Sequence, residues 1–150
     1  YKETILMLNP DFTRYSLALV QGDKIIFSSQ RRGLRPLWDC LQNYRQTKER
    51  FILHDKVIGL AAERLVVYSG IIAEIQTLLI SQPAKKFLYE NNIKVEAEKT
   101  VANILTQDMR SICHGEIIAL NIADPDEFSQ KIMMMFEVSK FNYKLDDREV

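Results

Sequence analysis

Three apolar strands alternate with two helices in the middle of the chain, and this alternation constrains the fold more than any other feature. In chain order the elements are predicted at Phe51–Leu53 (strand), Asp55–Tyr68 (helix), Ile71–Ile80 (strand), Gln82–Asn91 (helix) and Ile93–Glu98 (strand). Gly70 is predicted to cap the end of the first helix. Such short joints favour parallel strands connected by crossover helices. The sequence therefore predicts a sheet covered by helices.

A β-hairpin is predicted ahead of this region. Tyr15–Gln21 and Lys24–Ser29 are apolar-rich runs separated by Gly22-Asp23, a strong hairpin signal. From Leu34 to Tyr44 the apolar residues recur at helical spacing. An antiparallel pair beside parallel strands makes the sheet mixed, so we expect an α/β fold with three layers, α/β/α.

Both ends of the chain are predicted to be helical. Tyr1–Leu8 could form a short leading helix. The run Asp124–Glu127 has the pattern of a helix N-terminus, with an Asp cap, a first-turn proline and a Glu at the third helical position. The helix that it opens is predicted to bury Phe128, Ile132 and Met135. We expect one domain over residues 1–139 and a charged, frayed tail over residues 140–150.

Composition excludes several classes of protein. The 150 residues are 47% apolar and 27% charged, which is typical of a globular domain. The apolar runs are too short to span a membrane. Twenty basic residues balance twenty acidic ones, so no overall field attracts nucleic acid or a membrane surface. Two cysteines without CxxC spacing favour a reducing compartment, and the predicted location is the cytoplasm.

Three arginines stand at the start of a predicted helix, in the run Arg31–Pro36. The helix dipole disfavours each well-placed cation there by roughly 0.3–1 kcal/mol. One interpretation is that Arg32 and Arg35 hold a phosphate or carboxylate, with Gly33 allowing close approach of the backbone. The other is a solvated basic loop or salt bridges to acidic neighbours. Arg31 is interpreted as a surface charge.

The first strand–helix junction carries polar residues where α/β sheets bind their ligands. Asp55 is predicted to cap the following helix, and Lys56 would oppose the dipole in its first turn. Together they could hold a ribose, a phosphate or a reacting carbonyl. Gly59 is predicted in the middle of that helix at a cost of about 1 kcal/mol, most simply explained by close packing. Glu63 and Arg64 are predicted to form a solvated face.

The second junction is explained by helix capping. Ser81 is predicted as the N-cap and Pro83 as a first-turn proline, while Lys85 and Lys86 are predicted to be exposed. The predicted ligand-binding set is Arg32, Gly33, Arg35, Asp55, Lys56 and Ser81.

Catalytic groups could come from a later segment, Cys113–Glu116, which gathers a thiol, an imidazole and a carboxylate. A nucleophilic cysteine needs a base and oxyanion donors, and adjacent residues rarely point correctly for that. A small buried thiol beside an exposed histidine is the competing interpretation, although Glu116 could still accept a sugar hydroxyl. The chain's two cysteines and two histidines show no zinc-ligand spacing, and Cys40 is interpreted as core packing. No metal and no cofactor are predicted.

Four segments together resemble a known protein family. RGLRPL (Arg32–Leu37), DKVIGLAAERL (Asp55–Leu65), ISQPAKKFLYENNIKVE (Ile80–Glu96) and the Cys-x-x-Glu of Cys113–Glu116 occur in this order. Together they make the chain resemble members of the small bacterial and archaeal family called domain of unknown function 1893, over roughly Ser16–Phe136. The resemblance implies a cytidine-deaminase-like fold, a mixed sheet flanked by helices.

The resemblance also implies the loss of deaminase chemistry. True deaminases open the two helices with His-x-Glu and Pro-Cys-x-x-Cys, which supply the zinc ligands and the acid/base glutamate. Here the corresponding segments are Lys56–Ile58 and Pro83–Phe87, and only the proline is kept. Hydrolytic deamination by a zinc-activated water is therefore not expected.

Three functions remain open. The first is a zinc-free deaminase-like domain that binds a nucleotide-like or otherwise phosphorylated small molecule. The second is an enzyme, with Cys113 as nucleophile or Lys56 and Glu116 as proton-transfer groups. The third is an interaction module that assembles through an apolar helix face such as Phe128–Phe136, and a homodimer would be in keeping with such a sheet domain.

Overall fold

The computed structural model describes residues 8–105 and 114–148. The predicted leading helix lies outside these residues, except for Leu8. The chain divides into two compact units, Tyr1–Ile104 and Leu105–Val150. None of the helices in the described ranges is long and apolar enough to cross a membrane.

The hairpin forms as the sequence predicts. Strand β1 (Leu17–Gln21) pairs antiparallel with β2 (Lys24–Ser29). Gly22 lies in the turn with φ +64°, a left-handed conformation that glycine adopts without steric cost. Strand β1 begins two residues later than predicted, and Tyr15 is a buried residue preceding it.

The remaining elements of the first unit alternate between helix and strand, apart from one adjacent pair of strands. In chain order they are α1 (Arg35–Tyr44), β3 (Phe51–Asp55), β4 (Val57–Ile58), α2 (Leu60–Ser69), β5 (Ile72–Ser81), α3 (Gln82–Glu90) and β6 (Lys94–Val101). Strands β3, β4 and β6 all pair parallel with β5. The predicted α/β class with a mixed sheet is confirmed.

Strand β5 pairs with three other strands of the sheet. The described strands follow the order β2–β1–β3–β5, and both β4 and β6 also pair with β5. His54 lies opposite Gln76 and Ile58 lies opposite Ile80, which is one continuous register. Strands β3 and β4 are therefore successive segments along β5, interrupted at Lys56. Because β6 pairs with β5 over almost its whole length, it occupies the opposite edge of that strand.

The core of the first unit contains a helix that is buried almost all round. Helix α2 packs against α1, α3 and β5. Its residues from Leu60 to Val66 are all buried, including Glu63 and Arg64. The predicted solvated face is therefore wrong. The Nε of Arg64 donates to the hydroxyl of Tyr68 at 2.8 Å, and its guanidinium lies 5.5 Å from the centre of that ring. Such a contact lets a cation lie in a buried position.

The second unit contains two described helices, α4 (His114–Asn121) and α5 (Pro125–Arg148). The predicted cap is confirmed, since the backbone N–H of Glu127 donates to Oδ2 of Asp124 at 2.8 Å. Phe128 and Ile132 are buried as predicted, but Met135 is only half-buried. Helix α5 continues into the segment predicted as a tail. The single-domain boundary at residue 139 stays a prediction.

The C-cap of α2 gives a test of the local fold. Gly70 has φ +70°, and an added Cβ would meet nothing within 4 Å, so only backbone strain opposes a side chain there. We expect Gly70→Ala to lower the free energy of unfolding by about 1 kcal/mol. Gly70→Asn should lower the free energy of unfolding less than Gly70→Ala does, because asparagine adopts the left-handed conformation more readily than alanine. Urea unfolding measures both, and equal stability of wild type and Gly70→Ala would contradict the assignment.

Candidate functional site

The carboxyl edge of the sheet brings together the segments that carry the predicted site. Leu17, at the start of β1, lies opposite Ser29 at the end of β2 and opposite Asp55 at the end of β3. Strand β5 runs parallel to β3 but continues four residues past the level of Asp55, to Ser81. The loop after β2 and the residues after β3 therefore follow this edge, and the start of α3 lies further along β5.

One residue connects the arginine loop to the first junction. The backbone carbonyl of Ser16 accepts a hydrogen bond from the N–H of Lys56 at 2.9 Å. The hydroxyl of Ser16 donates to the backbone carbonyl of Arg31. Ser16 is therefore hydrogen-bonded both to the residue before Arg32 and to Lys56. This link shows that two of the predicted cations belong to neighbouring segments.

Asp39 neutralises part of the arginine cluster. The Nε of Arg35 lies 3.1 Å from Oδ1 of Asp39, one turn further along α1, and Nη1 of Arg31 lies 3.7 Å from its Oδ2. The salt-bridge interpretation is therefore correct for Arg35, and Arg31 is the exposed surface charge that the sequence indicates. Arg32 is exposed and makes no ion pair with the residues that the structure describes. Gly33 beside it has φ +85° with open space around its Cα.

The first junction differs from its predicted geometry. Helix α2 begins at Leu60 with Gly59 as its N-cap, whereas Asp55 ends β3. The predicted roles of Asp55 as a helix cap, Lys56 as a first-turn cation and Gly59 as a mid-helix residue are wrong. The reason is that the chain continues pairing with β5 through β4 before it turns into the helix. No dipole penalty therefore acts on Lys56.

Lys56 instead occupies the break between two strand segments. Its backbone carbonyl accepts hydrogen bonds from the N–H of Leu79 and from the hydroxyl of Thr77, both at 3.2 Å. The residue is exposed, and its ammonium makes no ion pair with the side chains of residues 8–105 and 114–137. The backbone of Lys56 is therefore hydrogen-bonded to Ser16 on one side and to β5 on the other, while its charged side chain is exposed.

Asp55 is a carboxyl in an unfavourable environment for its charge. Burial raises its pKa well above the usual range, against the opposing effect of hydrogen bonds from the backbone N–H groups of Val57 and Lys56. Burial also raises the pKa of the Cys40 thiol to about 12, with a further contribution from the charge of Asp55. Cys40 is fully buried, which confirms its predicted packing role. A thiol with this pKa is not a nucleophile near neutrality.

The second junction is capped as the sequence predicts. Ser81 is fully buried, and its hydroxyl oxygen accepts a hydrogen bond from the N–H of Ala84 at 3.2 Å. Pro83 lies in the first turn of α3, and Lys85 and Lys86 are exposed. These positions give Ser81 a structural role in starting α3.

The remaining catalytic candidates belong to the second unit. Cys113 lies outside the described residues. Glu116 is buried in the first turn of α4. In the ranges that the structure describes, no three His, Cys, Asp or Glu side chains are grouped so that they could hold a metal ion.

One face of the sheet carries a polar row that was not predicted from the sequence. Ala18, His54, Gln76 and Glu96 lie opposite one another on β1, β3, β5 and β6, so their side chains share one face, which we call the His54 face. A signal was present, because polar residues alternate with apolar ones in the IAEIQ stretch of β5 and in β6. The prediction of a helix-covered sheet makes no use of that signal.

His54 is part of a buried hydrogen-bond chain. The N–H of Asp11 donates to the hydroxyl of Tyr15 at 3.0 Å, and that hydroxyl lies 2.8 Å from Nδ1 of His54. In the neutral ring either the hydroxyl donates to Nδ1 or Nδ1 donates to the hydroxyl, and Nε2 is buried without a hydrogen-bond partner among the described residues. Burial lowers the pKa of His54, which favours this neutral form. The chain attaches the segment before β1 to the sheet.

Together these features define a mixed α/β sheet domain with exposed cations at its carboxyl edge and a polar row on one face. Residues 10–136 match the family described as a domain of unknown function (DUF1893), and the chain belongs to that family. Its fold is similar to that of a DUF1893 family protein from Thermotoga maritima, with a TM-score of 0.70, 24% identity and 82% of each chain covered. The predicted family resemblance is thus confirmed. No curated protein matches the chain.

The raised pKa of Asp55 predicts a pH-dependent stability. Between the ordinary pKa of an aspartate and the raised value, the folded protein keeps a proton that the unfolded chain has released. The free energy of unfolding therefore falls as pH rises through this window, by about 1.4 kcal/mol for each unit of elevation. Asp55→Asn should remove this decline and make the protein more stable at neutral pH.

Urea unfolding between about pH 4 and pH 8 measures this effect. Asp23→Asn, in the exposed hairpin turn, is the matched control and should keep the wild-type slope. An Asp55→Asn protein that is less stable than wild type at neutral pH would contradict the argument.

The hydroxyl of Tyr15 should contribute measurably to stability. Tyr15→Phe leaves a buried ring nitrogen of His54 and the N–H of Asp11 without their shared partner, so we expect a loss of about 1–3 kcal/mol. Tyr89→Phe is the control, because Tyr89 is 84% exposed. Guanidinium unfolding of both variants measures the difference. An equal, negligible loss in the two would show that the Tyr15–His54 bond adds nothing.

Proposed function

We propose that the protein binds a phosphorylated, nucleotide-like small molecule at the carboxyl edge of its sheet. The observation that carries the proposal is the pair formed by Arg32 and Lys56. Both are exposed, neither makes an ion pair within the described residues, and Ser16 links their two segments. Two such cations on one edge can take an anion through charge-assisted hydrogen bonds.

The neighbouring residues support an anion at this edge in different ways. Gly33, with open space around it, would let the backbone approach a phosphate. Asp55, with its raised pKa, carries less negative charge than an ordinary aspartate and so repels an anion less. Arg35 is paired with Asp39 and Ser81 is buried as a cap, so we assign both to positioning the edge rather than to ligand contact.

We infer a distant relation to the cytidine-deaminase fold without its zinc chemistry. The first turn of α2 consists of Leu60–Glu63. The start of α3 consists of Gln82–Lys86. Neither first turn contains the histidine or cysteine that a deaminase zinc site requires. Ligand binding without hydrolytic deamination is therefore the function that we propose. A cytoplasmic location and a homodimer stay predictions from the sequence.

Thermal unfolding with small anions tests the proposal. We expect pyrophosphate, AMP or CMP at about 1 mM to raise the Tm of the wild-type protein, because a ligand that binds only the native state must stabilise it. Arg32→Ala and Lys56→Ala should each weaken binding roughly tenfold or more, as loss of a hydrogen bond to a charged group does.

Lys85→Ala and Lys86→Ala on exposed positions of α3 are the matched controls and should keep the wild-type response. Higher salt should weaken the response, since exposed charges are screened. If no probe raises the Tm, or if the Arg32→Ala/Lys56→Ala double variant responds like wild type, the proposal is wrong.

A further inference from the structure

A cavity opens on the His54 face. Its volume is about 250 Å³. Gln76, Glu96 and Glu98 line it from β5 and β6, and Asn9 and Phe12 line it from the segment that precedes β1. Ligand pockets start at roughly 300 Å³, so this volume suits a single flat group better than a whole nucleotide.

Gln76 is the residue that points to a ligand. It is only 6% exposed, and its side-chain amide makes no hydrogen bond to any residue in the described ranges. Its position opposite His54 and Glu96 places its side chain on the face where the cavity lies. The amide atoms are not among the fully enclosed polar atoms that lack a partner, so they are accessible from the cavity, and a group bound there can hydrogen-bond with them.

The charge of the cavity limits what that partner can be. Glu96 and Glu98 lie two residues apart on β6, on the same side of the strand. Lys94, 3.9 Å from Glu96, is shared with Glu74 at 3.6 Å, and Glu98 makes no ion pair with the described residues. No cation of the described chain lines the cavity. Carboxylates accept hydrogen bonds and carry negative charge, so a group rich in N–H donors, neutral or cationic, suits this lining.

We propose that this cavity binds a flat group with two adjacent N–H donors, the edge found in guanine and in alkylguanidinium ions. A carboxylate from Glu96 or Glu98 accepts two parallel N–H bonds from such an edge, as it does from arginine. The amide of Gln76 donates to, or accepts from, the neighbouring atom of the group. The ring of Phe12 on the cavity wall offers an apolar face to a flat ligand.

This second site does not depend on the proposed anion site at the sheet edge. It involves different residues and a ligand without phosphate. The segment that carries Asn9 and Phe12 is attached to the sheet through the Tyr15–His54 hydrogen bond, and Phe12 packs edge-on against Tyr15 with ring centres 5.9 Å apart. That wall of the cavity is therefore held in place before a ligand arrives.

Isothermal titration calorimetry with unphosphorylated probes tests the proposal. Guanosine and agmatine both carry the two adjacent donors, one on a neutral ring and the other on a cation. Uridine offers a single ring N–H and should not bind. Binding of guanosine alone, of agmatine alone or of both supports the proposal, and the result shows whether the cavity accepts guanine, an alkylguanidinium ion or either.

Variants of the cavity residues complete the test. Glu96→Gln/Glu98→Gln should weaken binding roughly tenfold or more, and Gln76→Met roughly fivefold or more. Glu90→Gln, on an exposed position of α3 outside the cavity, is the matched control and should bind like wild type. Thermal unfolding without ligand confirms that each variant is folded, and Gln76→Met should be at least as stable as wild type.

Two results would overturn the proposal. One is the absence of heat with both guanosine and agmatine at millimolar concentration. The other is binding that the cavity variants leave unchanged. Because no probe carries a phosphate and Arg32 and Lys56 are intact throughout, either result leaves the anion proposal untouched.

Discussion

The pairing of β5 on both of its edges is the constraint on which the first unit depends. One edge of β5 holds β3 and then β4 in a single register, and the other edge holds β6. Antiparallel pairing of β1 with both neighbours places the end of β2 and the end of β3 at the same level. Each proposed ligand contact of this unit lies where it does because of those pairings.

The same pairings create the two different electrostatic environments of the sheet. At the carboxyl edge, Asp39 holds two arginines while Arg32 and Lys56 stay exposed. On the His54 face, the alternation of side chains along β5 and β6 gathers an amide and two carboxylates. An anion suits the first environment and an N–H donor suits the second, which is why we assign the two sites to different chemical groups.

Buried polar groups distinguish this sheet from one that serves only as a core. His54 and Gln76 are neighbours across two strands in positions that an apolar pair would fill at less cost in desolvation. Tyr15 satisfies one nitrogen of His54, which fixes the ring and the segment that precedes β1. The Gln76 amide has no such partner among the described residues, and the cavity begins at that position.

Local patterns of the sequence were sufficient to predict the hairpin, the caps at Gly70, Ser81 and Asp124, and the α/β class, because each depends on neighbouring residues or on a short apolar period. They could not show that β4 extends the pairing beyond Asp55, since that depends on a contact with β5 more than twenty residues away. For the same reason the sequence alone could not show that Asp39 reaches two arginines, or that Glu63 is buried. The sequence by itself determined which elements form and where charges are available. Tertiary structure decided which charges are neutralised and which polar groups share a cavity, because those outcomes depend on strand register and on packing between residues distant in the chain.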